Sequence, residues 1–206
     1  MTREKGFIIA AKIISMIFTP FYLPLVGIAL LFTFSYMNML PMQYKLLVVT
    51  IVYFMTILFP QFFIHLYRRY HGWTLLQLGH KRRRIVPYAL SILCYLGCIW
   101  LMDFFHIYHF IVIIVVAAII IQGVGLIVNV WWKISTHTAA IGGVVGAVMA
   151  FAELFRFNPV WWLCVAILVS GVLGTARIVL RQHTLGQVVG GFFIGAVSAF
   201  VAILYL

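Results

Sequence analysis

Two histidines, each set among cations at a break in otherwise apolar sequence, are the residues best suited to chemistry in this chain. Ser135-Thr136-His137 follows Lys133, and His183 lies between Arg177 and Gln187, with Arg181 beside it. A third basic segment, His80-Lys81-Arg82-Arg83-Arg84-Ile85-Val86-Pro87, precedes both. Imidazole can serve as nucleophile, acid or base near neutral pH, and Lys and Arg neutralise a multiply charged oxyanion. Phosphate chemistry fits this set. The acids are only Glu4, Asp103 and Glu153, none of them in the three segments, so a carboxylate-bound metal is not expected and the reading includes no metal and no cofactor.

The elements that must position these groups follow from spacing. Each segment leads into an apolar run, so each sits at a helix start, where unpaired backbone N–H groups and the positive end of the helix dipole attract anions. Ser135 reads as an N-cap, which puts His137 in the first turn of its helix. Thr184, with Gln187 three residues later, reads as a capping box that opens the last helix with His183 at its mouth. Arg177 and His183 are six apart and would diverge on one continuous helix, so a break is required between them.

The rest of the chain supplies the frame. Of its 206 residues 66% are apolar and 8% charged, too few charges to coat a water-exposed surface. A mean hydropathy of +1.16 agrees with a membrane protein. Apolar runs near Ile13–Phe34, Leu46–Tyr67, Val86–Phe105, Phe110–Val130, His137–Phe155, Pro159–Val179 and Val188–Leu206 approach the roughly 20 residues a spanning helix needs. The expected fold is all-α: a polytopic transmembrane bundle of six or seven spans, forming one domain over 1–206. Six is the count if Pro20 and Pro24 divide the first run into an interfacial helix and a span. The amino-terminal segment resembles a signal peptide but lacks a small-residue cleavage site and is read as retained. The net charge of +11 then belongs to loops and helix ends. Alternating the spans puts Arg3, Lys5, Lys12, Arg68, Arg69, Lys81–Arg84, Lys133, Arg177 and Arg181 on one face, and positive charge alone points that face inward. Lipid head groups and phosphates are the expected partners; nucleic acid is not, since no soluble module remains to bind it. Gly142/Gly146, Gly186/Gly190 and Gly191/Gly195 are small-xxx-small pairs that let helices approach closely.

Ser135-Thr136-His137 and Ala176-Arg177-x5-His183-x3-Gln187 resemble the second and third signatures of the type-2 phosphatidic acid phosphatase (PAP2) family, Pro-Ser-Gly-His and Ser-Arg-x5-His-x3-Asp. Lys81, Arg84 and Pro87 match the first, Lys-x6-Arg-Pro, only loosely. The resemblance covers 81–206 as a PAP2-like core. It implies a metal-independent lipid phosphatase acting through a phosphohistidine. In that scheme His183 is the nucleophile, His137 the acid for the leaving oxygen and Gln187 the residue supporting His183. Lys81, Arg84, Ser135 and Arg177 hold the phosphate oxygens. The substrate is a lipid phosphomonoester or pyrophosphate, and the location implied is a bacterial inner membrane with the site facing outward. Ile134, Thr136, Ala176 and Gln187 depart from the pattern; Gln187 accepts an N–H but cannot neutralise an imidazolium.

Two rival readings use the same residues. One is a non-catalytic lipid-phosphate binder or carrier; the other is a structural membrane subunit whose histidines cap helices. Lys81–Arg84 also reads as a topology signal, and Trp131-Trp132 and Trp161-Trp162 as interface anchors. Asp103, His106 and His109 are too few for a metal site. Gln122 and Asn129 are expected to bond between helices. The sequence leaves the oligomeric state open.

Overall fold

The computed structural model describes residues 3–72 and 85–206 and, among them, contains helices and no strand. Lys81 and Arg84, with the rest of that basic run, lie outside the described residues. The helices are α1 (Arg3–Ile17), α2 (Leu23–Phe34), α3 (Met42–Val52), α4 (Phe59–Tyr70), α5 (Ile85–Phe104), α6 (His109–Trp131), α7 (Thr136–Phe155), α8 (Val160–Val179) and α9 (Leu185–Tyr205). Seven stretches are long and apolar enough to cross a bilayer: Lys5–Phe34, Met42–Tyr70 and the five helices from α5 to α9. The chain is therefore a multi-pass helical membrane protein, and five of the expected spans start and stop within three residues of their helices.

The first two stretches are not simple rods. In Met42–Tyr70 a π-helical segment, Tyr53–Leu58, joins α3 to α4. Pro60 stands at the start of α4. It offers no N–H to the carbonyl four residues back and its ring crowds that turn, a common cause of a widened turn. Lys5–Phe34 breaks at a short 3-10 turn, Pro20–Tyr22, and the two sides run in opposite directions. Ser15, near the end of α1, meets Arg177 near the end of α8. Phe7, Ala10 and Ile14 share one groove with Ile167, Gly171 and Thr175, so α1 runs alongside α8 in the same direction. From Pro20 the chain turns back: Leu23 packs at Gly143, Gly27 at Ile114, and Phe34 stacks on Phe157 at 4.4 Å and meets Trp162 edge-on at 5.1 Å.

This hairpin corrects the expectation of a span beginning at Ile13 with Arg3 and Lys5 on the common basic face, while Lys12 stays within a turn of Ser15. Helix α1 begins at Arg3, and its amino-terminal end lies along α8 away from Arg177. The shared basic end keeps Arg68, Arg69, Lys133, Arg177 and Arg181. Hydropathy shows that a run is apolar but not where it folds back; Pro20 marks the break without giving its direction.

The core of the bundle is apolar and fully enclosed, built from Ile28 and Leu31 of α2, Val48 and Val52 of α3, Tyr95 and Met102 of α5, Ile111 of α6 and Phe151 of α7. Large apolar side chains such as Leu93, Trp100, Leu168, Phe193 and Val197 remain exposed on the outside, as a lipid solvent requires. The tightest packing joins α7 to α9. A Cβ added at Gly142 or Gly146 would overlap the carbonyl of Phe192 or Ala196, and one at Gly195 the carbonyl of Ala139. The backbones therefore touch with no side chain between them, the close approach anticipated from the glycine spacing.

Candidate active site

The site is organised by how α8 ends and α9 begins. The Arg181 N–H donates to the Ile178 carbonyl at 2.8 Å and the Gln182 N–H to the Arg177 carbonyl at 3.2 Å. With Arg181 at φ +51°, this is a Schellman ending built on a non-glycine residue. It is the break that the Arg177–His183 spacing demands. Arg177 stays in the last turn of α8, 7% exposed, while His183, 6% exposed, stands in the loop just before α9. Thr184 and Gln187 form the expected capping box, which starts the last helix at Leu185, three residues earlier than its apolar run.

Gln187 also reaches His183. Its Oε1 lies 3.2 Å from the imidazole Nδ1 and accepts the backbone N–H of Thr184 at 3.3 Å. A backbone N–H can only donate, so the second bond fixes which end of the amide is the oxygen. An amide oxygen cannot donate, so Nδ1 must carry the proton. In the neutral ring Nε2 is then the basic nitrogen of His183.

The 132–137 loop is bound to this one at three points. The Ser135 N–H donates to the Gln187 carbonyl at 3.2 Å, Lys133 Nζ donates to the Gln182 carbonyl at 3.1 Å, and the Trp132 indole covers Gly190 on α9. Ser135 is completely buried and acts as the N-cap of α7, its Oγ accepting the Thr138 N–H at 3.4 Å. Thr138 Oγ1 returns a bond to the Ser135 carbonyl at 3.0 Å. His137 therefore occupies the first turn of α7, half-buried. With Arg177 it lines a cavity of about 350 Å³ that runs into the bundle past Phe21, Leu23, Tyr88 and Ile121.

Of the residues expected to form the site, Ser135 and His183 lie in these two joined loops, His137 and Gln187 in the first turns of the helices that follow them, and Arg177 in the last turn of α8; Lys81 and Arg84 lie outside the described residues. Three participants were not anticipated. Trp132, read as an interface anchor, packs across the glycine face of α9. Thr138 braces the cap. Ser15 accepts a bond from Arg177 Nη1 at 2.6 Å across 162 positions of sequence, and no local pattern marks it. Among the described residues no group of three or more His, Cys, Asp or Glu could hold a metal ion, and Asp103, His106 and His109 form no such group.

These observations define a multi-pass helical membrane protein in which His137, His183 and the buried Arg177 lie toward one end of the bundle. Residues 131–206 match the model of the PAP2 superfamily, a helical membrane fold of phosphatase type. The match bears out the resemblance read from Ser135–His137 and Arg177–Gln187. It takes in both joined loops and α7 to α9, and leaves Lys81, Arg84 and Pro87 before its start. No curated protein and no solved structure matches the chain.

Proposed function

We propose that the chain is a lipid phosphatase that cleaves a phosphomonoester or pyrophosphate of a membrane lipid through a phosphohistidine, without a metal. The observation that carries this reading is the Thr184–Gln187–His183 network, which leaves the basic nitrogen of His183 to act as nucleophile. Nε2 attacks phosphorus as the bond to the leaving oxygen breaks, and protonated His137 gives that oxygen its proton. Neutral His137 then takes a proton from water, which displaces phosphate from Nε2 and restores the imidazole of His183. Arg177, with Lys81 and Arg84, neutralises the non-bridging oxygens, whose charge grows in the loose transition state of phosphoryl transfer.

Two features support a lipid substrate. The cavity beside His137 and Arg177 is lined mostly by apolar side chains, and the outside of the bundle carries many exposed apolar side chains. The proposed location is a bacterial inner membrane, with the substrate entering sideways from the bilayer and leaving its apolar part there.

The test is phosphate release from a short-chain lipid phosphate by purified protein in detergent, with the acid-labile phosphoenzyme trapped in parallel. Both should appear in the wild type, survive EDTA and vanish in His183→Ala. His137→Ala should slow turnover of the lipid far more than turnover of p-nitrophenyl phosphate, whose leaving group needs no acid. Full activity in His183→Ala would end the assignment. Binding of the lipid without turnover would favour a carrier.

A further inference from the structure

We infer that Ser15 is a positioning residue for Arg177, so that the amino-terminal hairpin, outside the PAP2-matched segment, completes the site. The inference rests on the phosphatase reading above. Three observations carry it. Arg177 Nη1 donates to Ser15 Oγ at 2.6 Å, and both residues are more than nine-tenths buried. The contact falls at the loop end of α8, one turn before the Schellman break that turns the chain toward His183. Immediately after α1, Thr19, Pro20 and Phe21 line the same cavity as His137 and Arg177.

A guanidinium on a long side chain has several rotamers to choose from, and phosphoryl transfer rewards a cation that is already aimed. Helix α8 fixes only the Cα of Arg177. Contacts from other elements must aim the fork, and α1 supplies one by presenting a hydroxyl acceptor from a side chain with a single rotatable bond to its oxygen. The contact is buried, and beside it Ala10, Ala11 and Ile14 of α1 line an apolar groove against α8. A charge-assisted bond there has little water to compete with it.

Removing the hydroxyl leaves the charge present and takes away one of the contacts that aim the fork, so the loss falls on the transition state more than on the bound substrate. Ser15→Ala should lower kcat about 10-fold, the order set by a hydrogen bond to a charged group, with KM within about 2-fold. Vanadate, which mimics the trigonal transition state, should inhibit more weakly by a similar factor. In an Arg177→Ala background, Ser15→Ala should change nothing further, because the two residues act through one guanidinium. Melting temperature and monodispersity in detergent check that each variant is folded. The inference is overturned if Ser15→Ala turns over like the wild type, or if it loses the same factor in the Arg177→Ala background, which would mean a general packing role for α1. A wild-type protein with no turnover overturns the phosphatase reading instead and takes the inference with it.

Discussion

One oxygen, Oε1 of Gln187, meets both the start of α9 and the imidazole of His183. This double use makes the residue a sharp probe. Gln187→Asp keeps an acceptor and adds a charge that, in the proposed mechanism, stabilises the imidazolium formed during attack. A nearby carboxylate favours the protonated ring, so the neutral nucleophile is lost at a higher pH. The expected pH–rate profile has a faster alkaline plateau and an acidic limb displaced upward. Gln187→Leu removes the acceptor, frees the tautomer and should lower turnover by at least about 10-fold, in line with the loss of a hydrogen bond supporting a charged intermediate. A folded Gln187→Leu protein with normal turnover would reduce the residue to a helix cap. The Gln187 contacts were legible because they are local: Thr184, His183 and Gln187 lie within one turn, where spacing implies proximity. Ser15 was not legible, since its partner is 162 positions away and serine near a helix end carries no distinctive signal.

At the scale of elements, the geometry of the site depends on how α7 sits against α9, since one carries His137 and the other follows His183. Gly195 faces the Ala139 carbonyl with no room for a Cβ, whereas Gly171 on α8 has open space around it. Gly195→Ala should therefore destabilise the protein by about 1–3 kcal/mol, the usual cost of overpacking, and displace the two loops. Gly171→Ala should be neutral or slightly stabilising, because alanine is the better helix former. Thermal unfolding in detergent, read beside activity, separates them; equal midpoints would mean that the two helices are not in backbone contact. The glycine pairs could be read from the sequence as close-packing faces, but a small-xxx-small pattern does not name its partner. Trp132 shows the same limit from the other side: a tryptophan beside a span matches a membrane-interface belt, and only the fold reveals the bare glycine surface beneath it.

For the whole molecule, the amino-terminal hairpin changes the topology that charge counting suggests. The start of α1 lies along α8 away from the basic loop end, so an impermeant reagent that labels position 181 from one side of the membrane should not label position 5 from that side. Lys5→Cys and Arg181→Cys, made separately in a Cys164→Ser background and treated with an impermeant maleimide in sealed vesicles, test this. Labelling of both from one side would mean that α1 does not run along α8. The spans themselves were almost fully legible, because lipid demands long apolar runs whatever their packing. Which runs fold back on a neighbour is decided by contacts that hydropathy cannot see.

The bare contact between α7 and α9 has a bearing on the surrounding lipid. Spans meet a thicker or thinner bilayer by tilting, by local deformation of the lipid or by snorkelling of their end residues. A pair whose spacing is set by main-chain atoms in contact tilts as one body, with no side chains between the helices to compress. The separation of the two histidine loops is thereby insulated from membrane thickness. For the proposed phosphatase, a change of bilayer should then act on the rate at which substrate arrives, while the chemical step at the loops keeps its pace.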